Sequence, residues 1–203
     1  MAKPLKLPVY KRSEFRRVSW GEYGKVLESV VKDVKAFLKK KRTHVDGIIP
    51  IYRAGGVAGQ FFAYRLRSLS ILPVQYKYLY QRGEVRLVKL DDSALARIKN
   101  RAPTVLVIEN NHCFGTTSQA VLKSIRKKFP KAVILYAAVY ADYSHRTMLD
   151  ADYTFYGRLT NETKMLLPQE TRKLKLQTGL SLFPWENVEE EWAAVRLKKF
   201  DYA

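Results

Sequence analysis

Residue types that could bind a phosphate group follow two apolar segments of the chain. The first segment, VDGIIPIY (residues 45–52), leads into RAGG (53–56), and the second, TVLVIE (104–109), leads through a polar stretch into GTT (115–117). Small residues let backbone amides approach an anion, and an arginine can bind a phosphate through two N–H groups. Both loops therefore have the composition of an anion-binding site.

Each loop precedes a pattern typical of a helix. Residues 57–66 and 117–129 carry apolar side chains at helical spacing, and the start of a helix offers unpaired amides and a partial positive charge. Taken singly, each loop has a second explanation. The glycines of the first loop suit tight packing, and Thr117 suits a helix N-cap.

Other reactive residues near the second loop are Glu109, His112 and Cys113. Glu109, the last residue of its apolar segment, could accept hydrogen bonds from sugar hydroxyls. A nucleophile–base pair of Cys113 and His112 is disfavoured, because sequence neighbours seldom point at each other and no third, orienting group is evident. Histidine-based metal binding is disfavoured as well, because His44 and His145 lack ligand spacing.

The elements that must position these residues alternate between strands and helices. Ser19 and Glu22 form a capping-box pattern, and a long amphipathic helix is predicted to follow it and to end near KKKR (39–42). Further helices are predicted at 57–66 and 117–129, strands at 45–52, 71–80, 104–109, 132–141 and 151–157, and a strand followed by a short acidic helix after residue 179. This alternation predicts a parallel α/β sheet with ligands at the carboxyl ends of its strands.

Composition narrows the class of protein. A chain of 203 residues with 47% hydrophobic and 28% charged residues suits one folded domain. It has no apolar run of about 18 residues and no secretory-type apolar segment, so we expect a cytoplasmic protein without a membrane span. The single cysteine excludes an internal disulfide.

The charge balance is strongly basic. Thirty-seven Lys and Arg against nineteen Asp and Glu give a net charge of +18 and a pI of about 9.9. Such a field favours anionic partners, including phosphorylated metabolites and nucleic acid. A solvated basic surface without a partner explains the same number equally well.

Taken in order, these segments resemble the type I phosphoribosyltransferase family, and in particular its hypoxanthine/xanthine-guanine branch. The resemblance covers residues 18–186 and rests on four segments: VSWGEYGKVLESVVKDVKAF, IYRAGGVAGQFFAYRL, TVLVIENNHCFGTTSQAVLKSI and LFPWE. It implies an α/β fold with a parallel sheet flanked by helices. It also implies a single domain with a core at about 18–160 and a small C-terminal hood at about 161–203.

The family transfers phosphoribosyl from phosphoribosyl diphosphate (PRPP), bound with Mg²⁺, to a nucleobase and releases pyrophosphate. Its members often form homodimers. The resemblance implies a pyrophosphate site at Tyr52, Arg53, Ala54 and Gly55, with a cis peptide between Tyr52 and Arg53, and a 5′-phosphate site at Cys113, Phe114, Gly115, Thr116 and Thr117. It implies that Glu109, Asn110 and Cys113 take part in catalysis, with Glu109 also acting indirectly on the metal. For the base it implies Tyr140 or Asp142, together with Leu180.

The chain departs from the family pattern at several of these positions. Asn110 replaces the second of two adjacent acids, Cys113 replaces an aspartate near the base, and Phe114 replaces a phosphate-binding Thr or Ser. The lysine that reads a purine 6-oxo group is missing, and Asp142 or Tyr140 stands there. We therefore carry two hypotheses: a phosphoribosyltransferase with residues 76–100 as a lid, or a non-catalytic regulator that senses PRPP or nucleotides or binds nucleic acid.

Overall fold

The computed structural model describes residues 10–68, 70–81, 84–146 and 149–197. In chain order its strands and helices are β1 (Phe15–Arg17), α1 (Trp20–Lys41), β2 (Gly47–Tyr52), α2 (Gly55–Leu66), β3 (Val74–Gln81), β4 (Glu84–Asp91), β5 (Thr104–His112), α3 (Thr116–Lys128), β6 (Val133–Asp142), β7 (Tyr153–Thr160), α4 (Pro168–Lys173), β8 (Leu180–Leu182) and α5 (Val188–Leu197).

A six-stranded sheet in the order β4-β3-β2-β5-β6-β7 forms the centre of the molecule. The five neighbouring strands β3, β2, β5, β6 and β7 run parallel to one another, and β4, at the edge, is antiparallel to β3. The predicted parallel α/β fold is confirmed. The physical reason is visible in β2, β5 and β6, whose continuous apolar runs are buried on both faces by helices.

Helices cover the two faces of the sheet. On one face α1 and α2 pack on Leu106 and Ile108, and on the other α3 packs beside Val105 and Val107. The crossing of α1 over β7 is especially close, because a Cβ at Gly157 would lie 2.6 Å from Val26. No helix in the described part of the chain is long and apolar enough to cross a membrane.

The predicted helix after Ser19 is confirmed. The Ser19 side chain accepts a hydrogen bond from the Glu22 amide at 3.1 Å, and α1 ends at Lys41. Two other segments differ from the sequence pattern. The charged stretch after residue 80 contributes β4 to a hairpin with β3, and β5 continues three residues beyond its predicted end. The extension exists because Asn111 and His112 pair with Tyr140 and Ala141 of β6.

A separate two-stranded sheet pairs β1 with β8 in parallel. β8 lies in the predicted C-terminal hood, whereas β1 comes from the opposite end of the chain, which the sequence pattern did not indicate. The two segments touch closely at Gly179, which has a φ of +81° and whose Cβ would lie 2.2 Å from the Glu14 carbonyl oxygen. An ion pair of 2.7 Å between Lys164 and Glu14 adds to this contact.

Candidate functional site

Two strand-to-helix loops meet at the carboxyl edge of the sheet. β2 and β5 are parallel neighbours, with Pro50 opposite Ile108, so the loops that follow them begin side by side. α2 starts at Gly55 and α3 at Thr116, and no side chain caps the first amides of either helix. The partial positive charges of two helix starts therefore lie at one edge.

The first loop lies directly against β5. A Cβ at Gly55 would be 2.8 Å from the carbonyl oxygen of Ile108, so only glycine permits this approach. The peptide bond between Tyr52 and Arg53 is cis, which confirms the expectation from the resemblance. Arg53 is exposed, and Ala54 has a helical backbone conformation immediately before α2. The backbone of residues 53–55 thus borders the end of β5.

The second loop turns at Gly115, whose φ is +73°. A Cβ there would lie 2.6 Å from the ring of His112, which is buried beneath the loop. Nδ1 of His112 is 2.9 Å from the Tyr136 hydroxyl, and Nε2 is 3.2 Å from the His145 carbonyl. Both ring nitrogens are engaged and burial lowers the pKa of His112, so this residue supports the loop and does not activate Cys113.

Glu109 is the acid at the end of the apolar part of β5. One of its carboxylate oxygens accepts a hydrogen bond of 2.9 Å from the amide of Asn110. Burial nevertheless raises the pKa of Glu109 to about 8, because desolvation outweighs that hydrogen bond. Near neutral pH the carboxyl group is therefore largely protonated.

Asn110 faces the opposite side of β5. Its side chain is buried, and its Oδ1 accepts a hydrogen bond of 2.9 Å from the hydroxyl of Tyr23 on α1. Its Nδ2 has no hydrogen-bond acceptor among the described residues. Adjacent strand residues point to opposite faces, so the side chains of Glu109 and Asn110 leave β5 in opposite directions. The catalytic role that the resemblance implies for Asn110 stays a prediction.

The side chains of Cys113 and Phe114 bring no charge to the second loop. Burial raises the pKa of the Cys113 thiol well above its usual value, and the acids Glu162 and Asp142 add to the effect. The thiol is thus protonated at neutral pH. The ring of Phe114 packs edge-on against His145, with centroids 5.2 Å apart. Neither residue offers a charge or a proton acceptor.

The predicted base-site residues are held within the fold. Asp142 is fully buried, and its two oxygens accept hydrogen bonds from the amides of Ser144 and Thr163 at 2.9 and 2.8 Å. Tyr140 is also buried and packs against Phe183, while Leu180 lies in β8. Asp142 thereby joins the loops after β6 and β7, and its contact with a base stays a prediction.

Two residues near Cys113, Glu162 and Tyr10, were not singled out from the sequence. Glu162 is fully buried and accepts hydrogen bonds from Asn111 Nδ2 at 2.9 Å and from the Ser181 amide at 3.0 Å. Burial raises the pKa of Glu162. The buried hydroxyl of Tyr10 lies near both Glu162 and Cys113, and the two groups and its own burial raise its pKa. No spacing rule predicts these contacts, because they join distant segments.

The structure offers one carboxylate for a metal at the loop edge. No group of three His, Cys, Asp or Glu residues capable of holding a metal occurs among the described residues. A protein-built metal centre is thus absent from the described residues, and Glu109 borders the first loop, because its Cα would lie 3.7 Å from a Cβ at Gly55.

Comparison with solved structures places this arrangement in a known fold. A purine phosphoribosyltransferase from Pyrococcus horikoshii matches with a TM-score of 0.60 and 16% identity, over 86% of this chain and 95% of that one. A xanthine-guanine-hypoxanthine phosphoribosyltransferase from Helicobacter pylori matches with a TM-score of 0.59 and 16% identity, over 89% and 99%. The chain has the type I phosphoribosyltransferase fold. The resemblance seen in the sequence is confirmed at this level.

A third solved structure with a similar fold contains a bound nucleotide. A protein from Neisseria gonorrhoeae described as hypothetical, with bound ppGpp, has a TM-score of 0.62 and 13% identity, over 91% of this chain and 97% of that one. No family model and no curated protein sequence matches the chain. Likeness at these identities shows the fold, and the chemistry must be argued from the site.

Proposed function

We propose that this protein binds PRPP with Mg²⁺ at the loop edge and transfers its phosphoribosyl group to a nitrogen of a nucleobase-like acceptor. The observation that carries the proposal is the convergence of two uncapped helix starts on neighbouring strand ends, with Gly55 pressed against Ile108. Two anion sites side by side suit a ligand with a phosphate at each end. The names of two structural neighbours, both purine phosphoribosyltransferases, support the same ligand class.

The proposed assignment divides PRPP between the two loops. Residues 52–55 hold the pyrophosphate, with Arg53 as its cation, and residues 113–117 hold the 5′-phosphate through backbone amides and the Thr117 hydroxyl. Glu109 holds the ribose hydroxyls between them. Mg²⁺ fits this donor set, because it prefers one or two carboxylates supplemented by substrate phosphates and water. When bound, the ion neutralises charge on the leaving pyrophosphate.

In the transfer, the bond from ribose C1 to the pyrophosphate oxygen breaks and a bond from the acceptor nitrogen to C1 forms. Positive charge develops on the ribose, so Glu109 would stabilise the transition state in its ionised form, which is the minor form of the ligand-free protein near neutral pH. The acceptor nitrogen loses its proton to water or to the departing pyrophosphate, because Cys113 is protonated and cannot take it. Positioning by the two loops would supply most of the rate enhancement.

A second function, sensing of PRPP or a nucleotide without transfer, is favoured by the surroundings of Asn110 and Cys113. Asn110 is bonded to Tyr23 in the core, and Cys113 has a raised thiol pKa. Two positions that carry acids in the family thus supply neither charge nor a base. The Neisseria protein with bound ppGpp is an example of nucleotide binding on this fold. A sensor would use the same phosphate loops.

Calorimetric titration with PRPP and Mg²⁺, followed by a pyrophosphate-release assay with a panel of nucleobases, tests both functions. Arg53→Ala and Glu109→Ala should each weaken PRPP binding by about 10- to 100-fold, the range of a lost charge-assisted hydrogen bond. Lys131→Ala, which removes an exposed cation at the opposite edge of the sheet, serves as the control.

The outcomes separate the two functions. Binding with pyrophosphate release supports transfer, and binding without release for any base supports the sensor. Absence of PRPP binding at millimolar concentration contradicts both. Equal affinities for the Arg53→Ala variant and the Lys131→Ala control would show that the ligand does not use the first loop. The cytoplasmic location and the homodimer stay predictions.

A further inference from the structure

A second concave surface lies between α1 and α2, away from the loop edge. This groove has a volume of about 730 Å³, and its charged and polar lining includes Lys35, Gln60, Tyr64, Arg65 and Arg67. Pockets for drug-sized ligands have volumes of roughly 300–1,000 Å³ but are mostly apolar. The groove is large enough for a ligand, and its lining suits a charged one.

The charge in the groove is one-sided. Three of its lining residues are cations and none is an acid. Arg65 pairs with Glu28 at 2.9 Å, whereas Lys35 and Arg67 make no ion pair with any described residue. Both side chains are exposed. Two cations that form no ion pair with a described residue therefore face the solvent at a concave surface, which focuses their field on an anion.

An aromatic side chain stands beside these cations. Tyr64 is 80% exposed, the most exposed of the large hydrophobic residues that the structure describes. Its position next to Arg65 and one turn before Arg67 combines a ring face with positive charge. Proteins that bind single-stranded nucleic acid use this combination, stacking bases on aromatic rings and tracking the phosphates with cations.

The positive charge continues beyond the groove along α1. Lys39 follows Lys35 by four residues and therefore lies on the same helix face one turn later. The end of α1 adds Lys40, whereas Lys41 lies on the other side of the helix, 5.6 Å from the ring of Tyr153 in β7. α1 and α2 both end at the amino edge of the sheet, since each is followed by a strand that starts there. The basic track thus extends past the groove toward the amino edge, opposite the loop edge.

We propose that the groove between α1 and α2 binds single-stranded nucleic acid, with a base on Tyr64 and the flanking phosphates on Lys35 and Arg67. A single strand fits better than a lipid surface, because the cations line a concavity and a bilayer is flat. It fits better than a lone nucleotide, because the track extends past the groove. This inference is independent of the proposed function, since it uses none of the loop-edge residues.

Fluorescence anisotropy with a labelled 12-nucleotide single-stranded RNA tests the proposal on the full chain. The logarithm of the wild-type binding constant should fall linearly with the logarithm of the salt concentration. The double variant Lys35→Glu/Arg67→Glu should weaken binding by about tenfold or more, and Tyr64→Ala by about tenfold. The charge-matched control is Lys123→Glu/Lys127→Glu on α3, which covers the other face of the sheet and carries exposed lysines.

Three results would overturn the proposal. One is an equal loss of RNA binding in the groove and control variants, which would indicate a diffuse charge effect. Another is displacement of the 12-mer by a mononucleotide when both supply the same total concentration of phosphate groups, which would indicate a site for a small ligand. The third is tighter binding to anionic lipid vesicles than to RNA. PRPP titration of the groove variant, expected to be unchanged, separates this result from any failure of the proposed function.

Discussion

Asn110 illustrates how the direction of one side chain changes the chemistry of a loop. The family pattern places two acids next to each other at the end of this strand, and in this chain β5 continues through both positions to His112. Strand geometry then sends Glu109 and Asn110 to opposite faces. Asn110 is bonded to Tyr23, and Glu109 alone carries a carboxyl group there. The residue type was readable from the sequence, but its direction was not.

The raised pKa of Glu109 makes stability depend on pH in a defined direction. Its pKa is about 8 in the folded protein against an ordinary value of 4.5, so the folded state holds this proton more tightly than the unfolded chain. The contribution of Glu109 to the free energy of unfolding is therefore largest below about pH 4.5, and this contribution is lost as the pH rises through about 8.

Glu109→Gln should remove this dependence. The variant and the wild type should have similar melting temperatures at pH 4, and the variant should be the more stable at pH 9, by several degrees. Thermal unfolding followed by circular dichroism across this pH range measures the difference. Glu186, whose pKa burial raises to about 7, titrates in both proteins and cancels from the comparison. A pH-independent difference would contradict the assignment.

At the scale of elements, the helix starts and the ends of β2, β3 and β6 were predicted from local signals, and the end of β5 was not. Ser19 with Glu22, the glycines that open α2, and Gly115 before α3 mark helix starts within a few residues of where they occur. The end of β5 depends instead on hydrogen bonds from Asn111 and His112 to β6, about 30 residues away. Polar residues inside such an extension resemble a loop until the neighbouring strand is known.

The close approach of α2 to β5 gives a prediction about glycine. Gly55→Ala should lower the free energy of unfolding by about 1–3 kcal/mol, because the new Cβ would meet the Ile108 carbonyl, a backbone atom that cannot move alone. Gly24→Ala in α1, where no atom lies within 4 Å of the new Cβ, should raise it by about 0.5–1 kcal/mol.

Urea unfolding of both glycine variants measures the two changes. PRPP titration of Gly55→Ala adds a readout of the loop itself, since a displaced first loop should bind pyrophosphate more weakly. Equal stability changes at the two glycines would mean that the approach of α2 to β5 is looser than the structure describes.

At the scale of the whole molecule, a hood formed by the two-stranded sheet of β1 and β8 joins both ends of the described chain. β1 pairs with β8, and the Val18 amide donates to the Leu182 carbonyl at 2.8 Å. Glu162 adds a buried link, because it accepts hydrogen bonds from Ser181 near β8 and from Asn111 in β5. The hood is thereby anchored to the strand that carries the candidate site.

Gly179→Ala should loosen the hood without unfolding the sheet. Alanine disfavours the φ of +81° at this position, and its Cβ would lie 2.2 Å from the Glu14 carbonyl oxygen. In hydrogen exchange, the Val18 amide should lose protection by about tenfold or more, while the amide of Ile108 in β5 should be unaffected. Unchanged protection at Val18 would show that the hood does not depend on this turn.

The sequence by itself determined the order of the strands and helices from α1 to β7, apart from β4, and the two phosphate-type loops, because these depend on apolar periodicity and on residues a few positions apart. RAGG after one buried strand and GTT after another, together with the segment after residue 18 and LFPWE, indicated the fold through their resemblance to a family. The tertiary structure decided that Asn110 faces Tyr23, that His112 supports Gly115, and that Glu162 reaches Asn111. Each of these contacts depends on the register between segments or on the path of a turn, which no local pattern encodes.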